Sequence, residues 1–220
     1  MPYRRTENVT RRLAARHDAI IEAARALAGE GGLGAVQIAA VAERAGIAAG
    51  TVYRYFPAKV DLVAALLAEF AAREIGAIRS AAEAAPGPLS ALSAAIITFA
   101  ARALRARRLA FAAIAEPVDA ELDTARVAVR QSVAVEFSGR ISPTIAAGHL
   151  PEQDPALAAA ALTGMIVEAL IGPLAPDVAG RERDTVQSVT LIALRALGVA
   201  DARARGLVVQ TEMPPDTVVR

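Results

Sequence analysis

Residues 37–59, QIAAVAERAGIAAGTVYRYFPAK, constrain the fold of this chain more than any other stretch. Apolar residues recur at helical spacing at Ile38 and Val41 and give a first short helix one apolar face. Gly46 stands where helices commonly end in a left-handed residue, a conformation that glycine adopts without steric cost. A second short helix is predicted at about residues 48–54. This pattern is typical of a helix-turn-helix, whose second helix lies in the major groove of DNA.

The second helix carries polar side chains that would face the DNA, and these are Thr51, Tyr53, Arg54 and Tyr55. Each of them can contact a phosphate or a base edge. Pro57 suits the first turn of the next helix, because its missing N–H would have no partner there. The pattern therefore predicts a DNA-binding segment that leads directly into another helix.

Residues 41–59, VAER followed by AGIAAGTVYRYFPAK, resemble the DNA-binding signature of the TetR/AcrR family of bacterial transcriptional repressors. The resemblance implies a two-fold dimer that binds a palindromic operator and releases it when a small ligand enters the C-terminal body. It also implies that Thr51 and Tyr53 contact the DNA backbone and that Lys59 holds a phosphate. The full set of predicted DNA contacts is Gln37, Ala49, Gly50, Thr51, Tyr53, Arg54, Tyr55 and Lys59.

The chain departs from the family pattern at two helix N-caps. Members often have Thr or Ser where Gln37 and Ala48 stand, and the loss of such a cap costs about 1 kcal/mol. By resemblance Ala49, Gly50 and Arg54 approach the bases, but Ala49 offers no polar group. Base reading would then depend on Arg54 and on DNA shape. The small polar content keeps open an alternative, a helical small-molecule-binding protein with a vestigial DNA-binding head.

The composition favours an all-α fold and gives little support to an enzyme. Hydrophobic residues make up 55% of the chain and aromatic residues 4%, and alanine, the best helix former, dominates. There is no cysteine, which excludes disulfides and thiolate metal sites and fits a reducing compartment. His17 and His149 stand apart from each other and from acidic clusters. We therefore predict no catalytic residue, no metal site and no cofactor.

Basic residues concentrate in the N-terminal part of the chain. Residues 1–60 hold nine arginine or lysine residues against five acidic ones, whereas the whole chain has a net charge of +1. A basic module on a mildly acidic body suits a polyanionic partner such as DNA. Lys59 is the only lysine in the chain. Residues 1–10 are predicted to be disordered, with Arg4 and Arg5 either contacting DNA as an arm or simply solvated.

About nine helices in two domains are expected. The DNA-binding domain would span residues 1–61, and residues 62–200 would form a body for ligand binding and dimerisation. A helix at residues 57–83 would connect the two, and residues 201–220 would be a flexible tail. The longest apolar run, residues 156–167, is too short to span a bilayer, which predicts a cytoplasmic protein.

The candidate effector site lies in the body. Phe99, Phe111 and Phe137 fall on inward faces of predicted helices, and Arg102 stands beside one of those faces as a polar anchor. Such a wall suits a small, mainly apolar molecule with one or two polar groups.

The dimer interface is predicted at two helices, residues 155–171 and 181–197. The first is apolar all round and must be buried on most sides, either in a dimer or as the central helix of a monomer. Paired across a two-fold axis, the helices would form a four-helix bundle. Glu168 would pair with an arginine of the second subunit or extend to the rim. The predicted interface residues are Ala161, Gly164, Glu168, Val189 and Ile192.

Overall fold

The computed structural model describes residues 3–214, with side chains from residue 9 onwards. Within these residues it contains ten α-helices, one short 3₁₀ turn at Leu33–Ala35 and no strand, which confirms the all-α prediction. The α-helices are α1 Tyr3–Gly31, α2 Ile38–Arg44, α3 Ala49–Tyr55, α4 Lys59–Glu83, α5 Pro88–Arg105, α6 Arg107–Ile114, α7 Ala120–Ala146, α8 Pro155–Leu170, α9 Glu182–Ala196 and α10 Asp201–Gln210.

The N-terminal head consists of α1, α2, α3 and the start of α4. Ile20, Val41 and Val52 have no exposed surface, so α1, α2 and α3 each contribute a fully buried side chain to one small core. Helix α1 begins at Tyr3, and the prediction of disorder is wrong for residues 3–10. Arg4 and Arg5 lie in this helical segment, and residues 1 and 2 lie outside the described residues.

The turn between α2 and α3 has the geometry that the sequence predicts. Gly46 has a φ of 64°, in the left-handed region. Its N–H donates to the carbonyl of Glu43 at 3.1 Å, and the N–H of Ile47 donates to the carbonyl of Ala42 at 3.0 Å. These two hydrogen bonds satisfy carbonyls at the end of α2 and direct the chain into α3.

Helix α5 lies at the centre of the C-terminal body. Every residue from 92 to 101 is buried, because α4, α7, α9 and α6 pack around this helix. Helix α4 begins in the head and packs against both α5 and α7, so one continuous helix belongs to both parts. No single described helix is long and apolar enough to cross a membrane.

The prediction of a flexible tail at residues 201–220 is wrong for the first half of that segment. Residues Asp201–Gln210 form α10, which packs against α9 and α5. Ala204 and Val208 are buried in that contact. The hydroxyl groups of Thr211 and Ser93 lie 3.0 Å apart and form a hydrogen bond that fixes the segment after α10 on the body. The remainder of the tail, residues 215–220, lies outside the described residues.

Candidate DNA-binding surface and ligand cavities

Helix α3 presents one side to solvent and the other to the head. Ala49, Gly50, Tyr53 and Arg54 are exposed, and their spacing places them on one face of the helix. Val52, on the opposite face, has no exposed surface. The structure therefore gathers four of the predicted DNA-contacting residues on a single solvent-facing surface.

Three polar side chains on and beside this surface make no hydrogen bond or ion pair with any described residue. Among the described side chains, Tyr53, Arg54 and Lys59 have no hydrogen-bond or ion-pair partner. Arg44, at the end of α2, differs because both of its terminal nitrogens donate to the carboxylate of Glu30, one of them at 2.9 Å. Arg54 and Lys59 thus retain their full charge and donor capacity for a ligand, whereas the charge of Arg44 is already compensated.

The start of α4 holds Lys59 at the edge of the DNA-binding surface. The carboxylate of Asp61 accepts the N–H of Ala58 at 2.9 Å, so the helix begins at Lys59, two residues after the predicted start at Pro57. The side chain of Lys59 is half-buried. Lys59 therefore stands in the first turn of α4, four residues after the end of α3 at Tyr55.

Three of the predicted DNA contacts are either half-buried or hydrogen-bonded to their own chain. Tyr55 is half-buried and its ring lies 6.4 Å from that of His17, so it packs between α3 and α1 rather than facing outward. Thr51 is half-buried as well. Gln37 is exposed, but its side-chain amide donates to the carbonyl of Gly34 at 2.9 Å instead of capping α2. Ala48 likewise leaves the N-terminus of α3 without a side-chain cap.

The aromatic residues predicted to line an effector pocket are largely core residues. Phe99 and Phe137 are at most 1% exposed, and their rings pack edge to face with centroids 5.8 Å apart. Phe111 is half-buried on α6. None of these three rings lines the main cavities found in the described part of the chain. The interior of the body is filled at that point, and the cavities lie elsewhere.

Arg102 is the predicted pocket residue that does border open space. It lines a cavity of about 420 Å³ between α1, α4 and the bend that joins α5 to α6. It also lines a cavity of about 660 Å³ between α4, α5 and the segment after α10. The second cavity has small side chains on its α4 and α5 walls, including Ala77, Ala81 and Ala94.

Arg102, which lines both cavities, forms an ion pair with the buried Glu74. Arg102 donates from Nε and from one terminal nitrogen to the two carboxylate oxygens of Glu74, both at 2.8 Å. Glu74 is only 7% exposed. The hydrogen bonds to Glu74 raise the pKa of Arg102, which keeps the guanidinium charged in spite of its partial burial. The pair joins α4 to α5, and its arginine gives both cavities a polar group.

The outer face of α8 and α9 is apolar and uncovered in the single chain. Leu157 is 71% exposed and Ile192 is 52% exposed, and Ala161 is exposed between them. Gly164 is half-buried, and a methyl group added to it would contact nothing within 4 Å. A groove of about 330 Å³ runs between the two helices on this side.

Two residues predicted for the dimer interface face other groups of their own chain. Val189 is 6% exposed and belongs to the core of the body, so it lies behind the apolar face rather than on it. The carboxylate of Glu168 accepts the backbone N–H of Leu174 at 3.1 Å and fixes the loop that follows α8. Glu168 is therefore engaged within its own chain.

A contact between head and body was not predicted from the sequence. The carboxylate of Glu116, just after α6, accepts the backbone N–H of Leu33 in the head at 3.2 Å. Gly32 permits this approach, since a methyl group there would lie 2.5 Å from Glu116 Oε2 and 2.8 Å from Arg108 Nη2. The glycine-rich residues 29–34 indicate a helix break, but only the packing of α6 on α1 gives Gly32 and Glu116 a joint role.

Comparison with known proteins identifies relatives of the head. The model of the family described as bacterial regulatory proteins, tetR family, matches residues 20–66. The transcriptional repressor KstR of Rhodococcus jostii (strain RHA1) is 50% identical over 72 residues, which are 33% of this chain and 32% of that repressor. KstR of Mycolicibacterium smegmatis is 57% identical over 56 residues, which are 25% of this chain and 28% of that repressor. The chain thus matches about a third of the length of these relatives.

Comparison of structures extends the likeness to the body. The fatty acid degradation regulator FadR from Bacillus halodurans superposes with a TM-score of 0.72 and 25% sequence identity. The superposition covers 84% of this chain and 97% of FadR. The helical body therefore follows the same architecture as the body of that regulator.

Proposed function

Because the chain belongs to the TetR family of bacterial regulatory proteins, we propose that it is a ligand-responsive transcriptional repressor that binds DNA as a homodimer. The observation that carries the proposal is the surface of α3, where Tyr53 and Arg54 are exposed and have no partner among the described side chains. A surface of this kind on the second helix of a helix-turn-helix is suited to the major groove.

The side chains divide by role on DNA. The guanidinium of Arg54 can donate two hydrogen bonds to the O6 and N7 atoms of a guanine and thereby read sequence. Lys59 and Tyr53 would contact phosphates and hold the head in register. Gly50 has no side chain, so the backbone of α3 can approach the DNA closely at this position.

Dimerisation would use the outer face of α8 and α9. Leu157, Ala161 and Ile192 expose apolar surface there, and burial of apolar area is the main favourable term in association. The small residues Ala161 and Gly164 allow a second α8 to approach closely. A two-fold axis through this face would place two heads side by side, as a palindromic operator requires.

The effector would enter the body between α4, α5 and the segment after α10. The cavity there has a volume of about 660 Å³, alanine-rich walls and Arg102 on its lining. These properties suit a small, mainly apolar molecule with one polar group. Because α4 belongs to both parts of the chain, a ligand that favours one tilt of α4 would select dimers whose heads no longer match the operator.

A vestigial head without DNA recognition is not favoured. The sequence likeness to KstR repressors is concentrated in the head, at 50% identity over 72 residues. The open positions on α3 would have no function in a protein that only binds a small molecule.

The test is a salt titration of DNA binding, with the DNA upstream of the protein's own gene and with random DNA. Arg54→Ala should weaken binding to the operator by about 1–3 kcal/mol and should change binding to random DNA little. Lys59→Ala should weaken binding to operator and to random DNA by a similar factor, and it should lower the slope of log affinity against log salt concentration by about one unit. Tyr53→Phe should also weaken binding to both DNAs, but without changing this slope. Arg130→Ala is the control, because Arg130 is an exposed arginine on α7, away from the head. Equal loss on both DNAs for Arg54→Ala would disprove its base-reading role.

A further inference from the structure

The cavity of about 420 Å³ between head and body has an unusually basic lining. Its walls come from α1, α4 and the bend between α5 and α6, where the chain turns by 105°. The acidic residues in the lining are Glu69 and Glu74. The basic residues in the lining are Arg25, Arg73, Arg102, Arg105, Arg107 and Arg108.

The carboxylates that line this cavity, and Glu22 beside it, are already engaged by arginines. Glu116 lies outside the lining, near Arg108, and accepts the backbone N–H of Leu33. Glu74 binds Arg102, as described above, and Glu69 binds Arg73. Glu22, on the neighbouring part of α1, accepts a hydrogen bond from Arg25 at 2.9 Å and also pairs with Arg73. Three arginines are thereby matched by three carboxylates, so these pairs do not offset the remaining arginines.

Arg107 and Arg108 supply the excess charge. Neither forms an ion pair with a carboxylate of the described residues. Arg107 donates only to the carbonyl of Ala175, at 3.3 Å, and Arg108 is exposed at the mouth of the cavity. Arg105 also reaches this region and donates to the carbonyl of Pro214 at 2.7 Å. The guanidinium groups of Arg107 and Arg108 are thus not ion-paired with a described carboxylate, although Glu116 lies near Arg108 at Gly32.

The backbone adds further donors at the same place. Helix α6 begins at Arg107, and its N-cap residue, Ala106, has no side chain that could accept the first N–H groups. Residues 106–109 all line the cavity. The unpaired N–H groups of a first turn and the positive end of the helix dipole favour a negative charge.

We propose that this cavity binds a phosphate-bearing anion at the junction of head and body. Arginine presents planar pairs of N–H donors that match phosphate oxygens, and Arg107, Arg108 and the start of α6 converge on one space. Arg25 of α1 and Arg73 of α4 also line the cavity, so an anion bound there lies between the DNA-binding head and the body. If the proposed function holds, an anion that binds one arrangement of α1 and α6 more tightly than another would shift the affinity for DNA.

The test is isothermal titration of the full-length protein with inorganic pyrophosphate, without DNA and at constant ionic strength. The wild type should bind one pyrophosphate per chain with saturation. Arg108→Ala should weaken binding about tenfold or more, the value of one hydrogen bond to a charged group, and Arg108→Glu should abolish it. Arg108 is exposed, so both variants should retain the circular dichroism spectrum and melting temperature of the wild type.

Two controls locate the anion. Arg130→Ala removes an exposed arginine from α7, and Lys59→Ala removes a cation from the DNA-binding surface. Both should bind pyrophosphate like the wild type. Absence of saturable binding would overturn the proposal, and so would a loss in Lys59→Ala as large as that in Arg108→Ala, because the anion would then occupy the DNA-binding surface. Since the titration contains no DNA, a failure of the repressor proposal would appear separately, in the DNA-binding assay of the wild type.

Discussion

Replacement of Gly46 by alanine isolates the contribution of the turn between α2 and α3. Gly46 has a φ of 64°, and a methyl group built on it would meet nothing within 4 Å. The substitution therefore causes no collision, and its cost lies in the backbone alone. A left-handed conformation costs an L-residue about 1–2 kcal/mol, while alanine lowers the entropy of the unfolded chain by an amount worth about 0.4–1 kcal/mol. The net loss of stability should be about 1 kcal/mol.

Gly50→Ala is the matched control, four residues further along. Gly50 lies within α3, does not have a positive φ, and would also carry a methyl group without contacts. Alanine is preferred over glycine in helices by about 1 kcal/mol, so this variant should be slightly more stable than the wild type. For a protein of this size, 1 kcal/mol corresponds to about 2–4 °C in melting temperature. The two variants should thus melt on opposite sides of the wild type.

The DNA affinity of the two variants should not follow their stability. Gly46→Ala leaves the surface of α3 unchanged, so the folded protein should bind the operator like the wild type. Gly50→Ala adds a methyl group to the face of α3 that we propose to lie against DNA, and it should weaken binding. An unchanged melting temperature for Gly46→Ala would refute the assignment of the turn. Full operator affinity for Gly50→Ala would refute the close approach of α3 at that position.

Three further predictions concern the body and the ion pairs. Arg102→Ala should lower the free energy of unfolding in urea by about 3 kcal/mol, because Glu74 is left buried without a partner. The double variant Glu74→Leu, Arg102→Met should restore most of this loss. Gly164→Glu should give monomers or insoluble protein, as measured by light scattering, while Gly164→Ala should remain dimeric. A wild-type monomer at micromolar concentration would contradict the proposed interface. The hydrogen bond from Arg25 lowers the pKa of Glu22, so the pair stabilises the fold at neutral pH and this contribution disappears as the pH falls through the lowered pKa. Glu22→Gln should accordingly be less stable than the wild type at neutral pH and equal to it in acid, and a difference that persists in acid would contradict the assignment.

The sequence by itself determined the helix-turn-helix and the positions of most helices. The hydrogen bonds of the turn join residues at most five positions apart, from Ala42 to Ile47, so their requirements are visible in a short stretch of sequence. The predicted end of α4 at Glu83 and start of α8 at Pro155 are correct, because Pro86 and Pro88 follow the first helix and Pro155 suits the first turn of the second. Helix α7, by contrast, continues through Pro143 to Ala146. The signals at the end of α4 and the start of α8 act within a few residues of the chain.

The side of a helix that becomes buried was decided by the tertiary structure. Tyr55 is polar enough to face DNA, yet its ring lies beside that of His17, which belongs to α1. Helix α10 forms in a segment predicted to be flexible, since Ala204 and Val208 find an apolar partner surface on the body. In both places the free energy of burial depends on residues far away in the sequence, which periodicity does not reveal.

The cavities likewise exist only in the folded chain. Arg25 and Arg108 are 83 positions apart in the sequence, and each alone is an ordinary surface arginine. They line one cavity because α6 packs on α1 and Gly32 lets Glu116 reach the backbone of Leu33. Arg102 was predicted as a polar anchor among aromatic rings, but the rings pack against one another and the arginine pairs with Glu74. Residue types and helical spacing are properties of the sequence, whereas empty space is what remains after all the helices have packed.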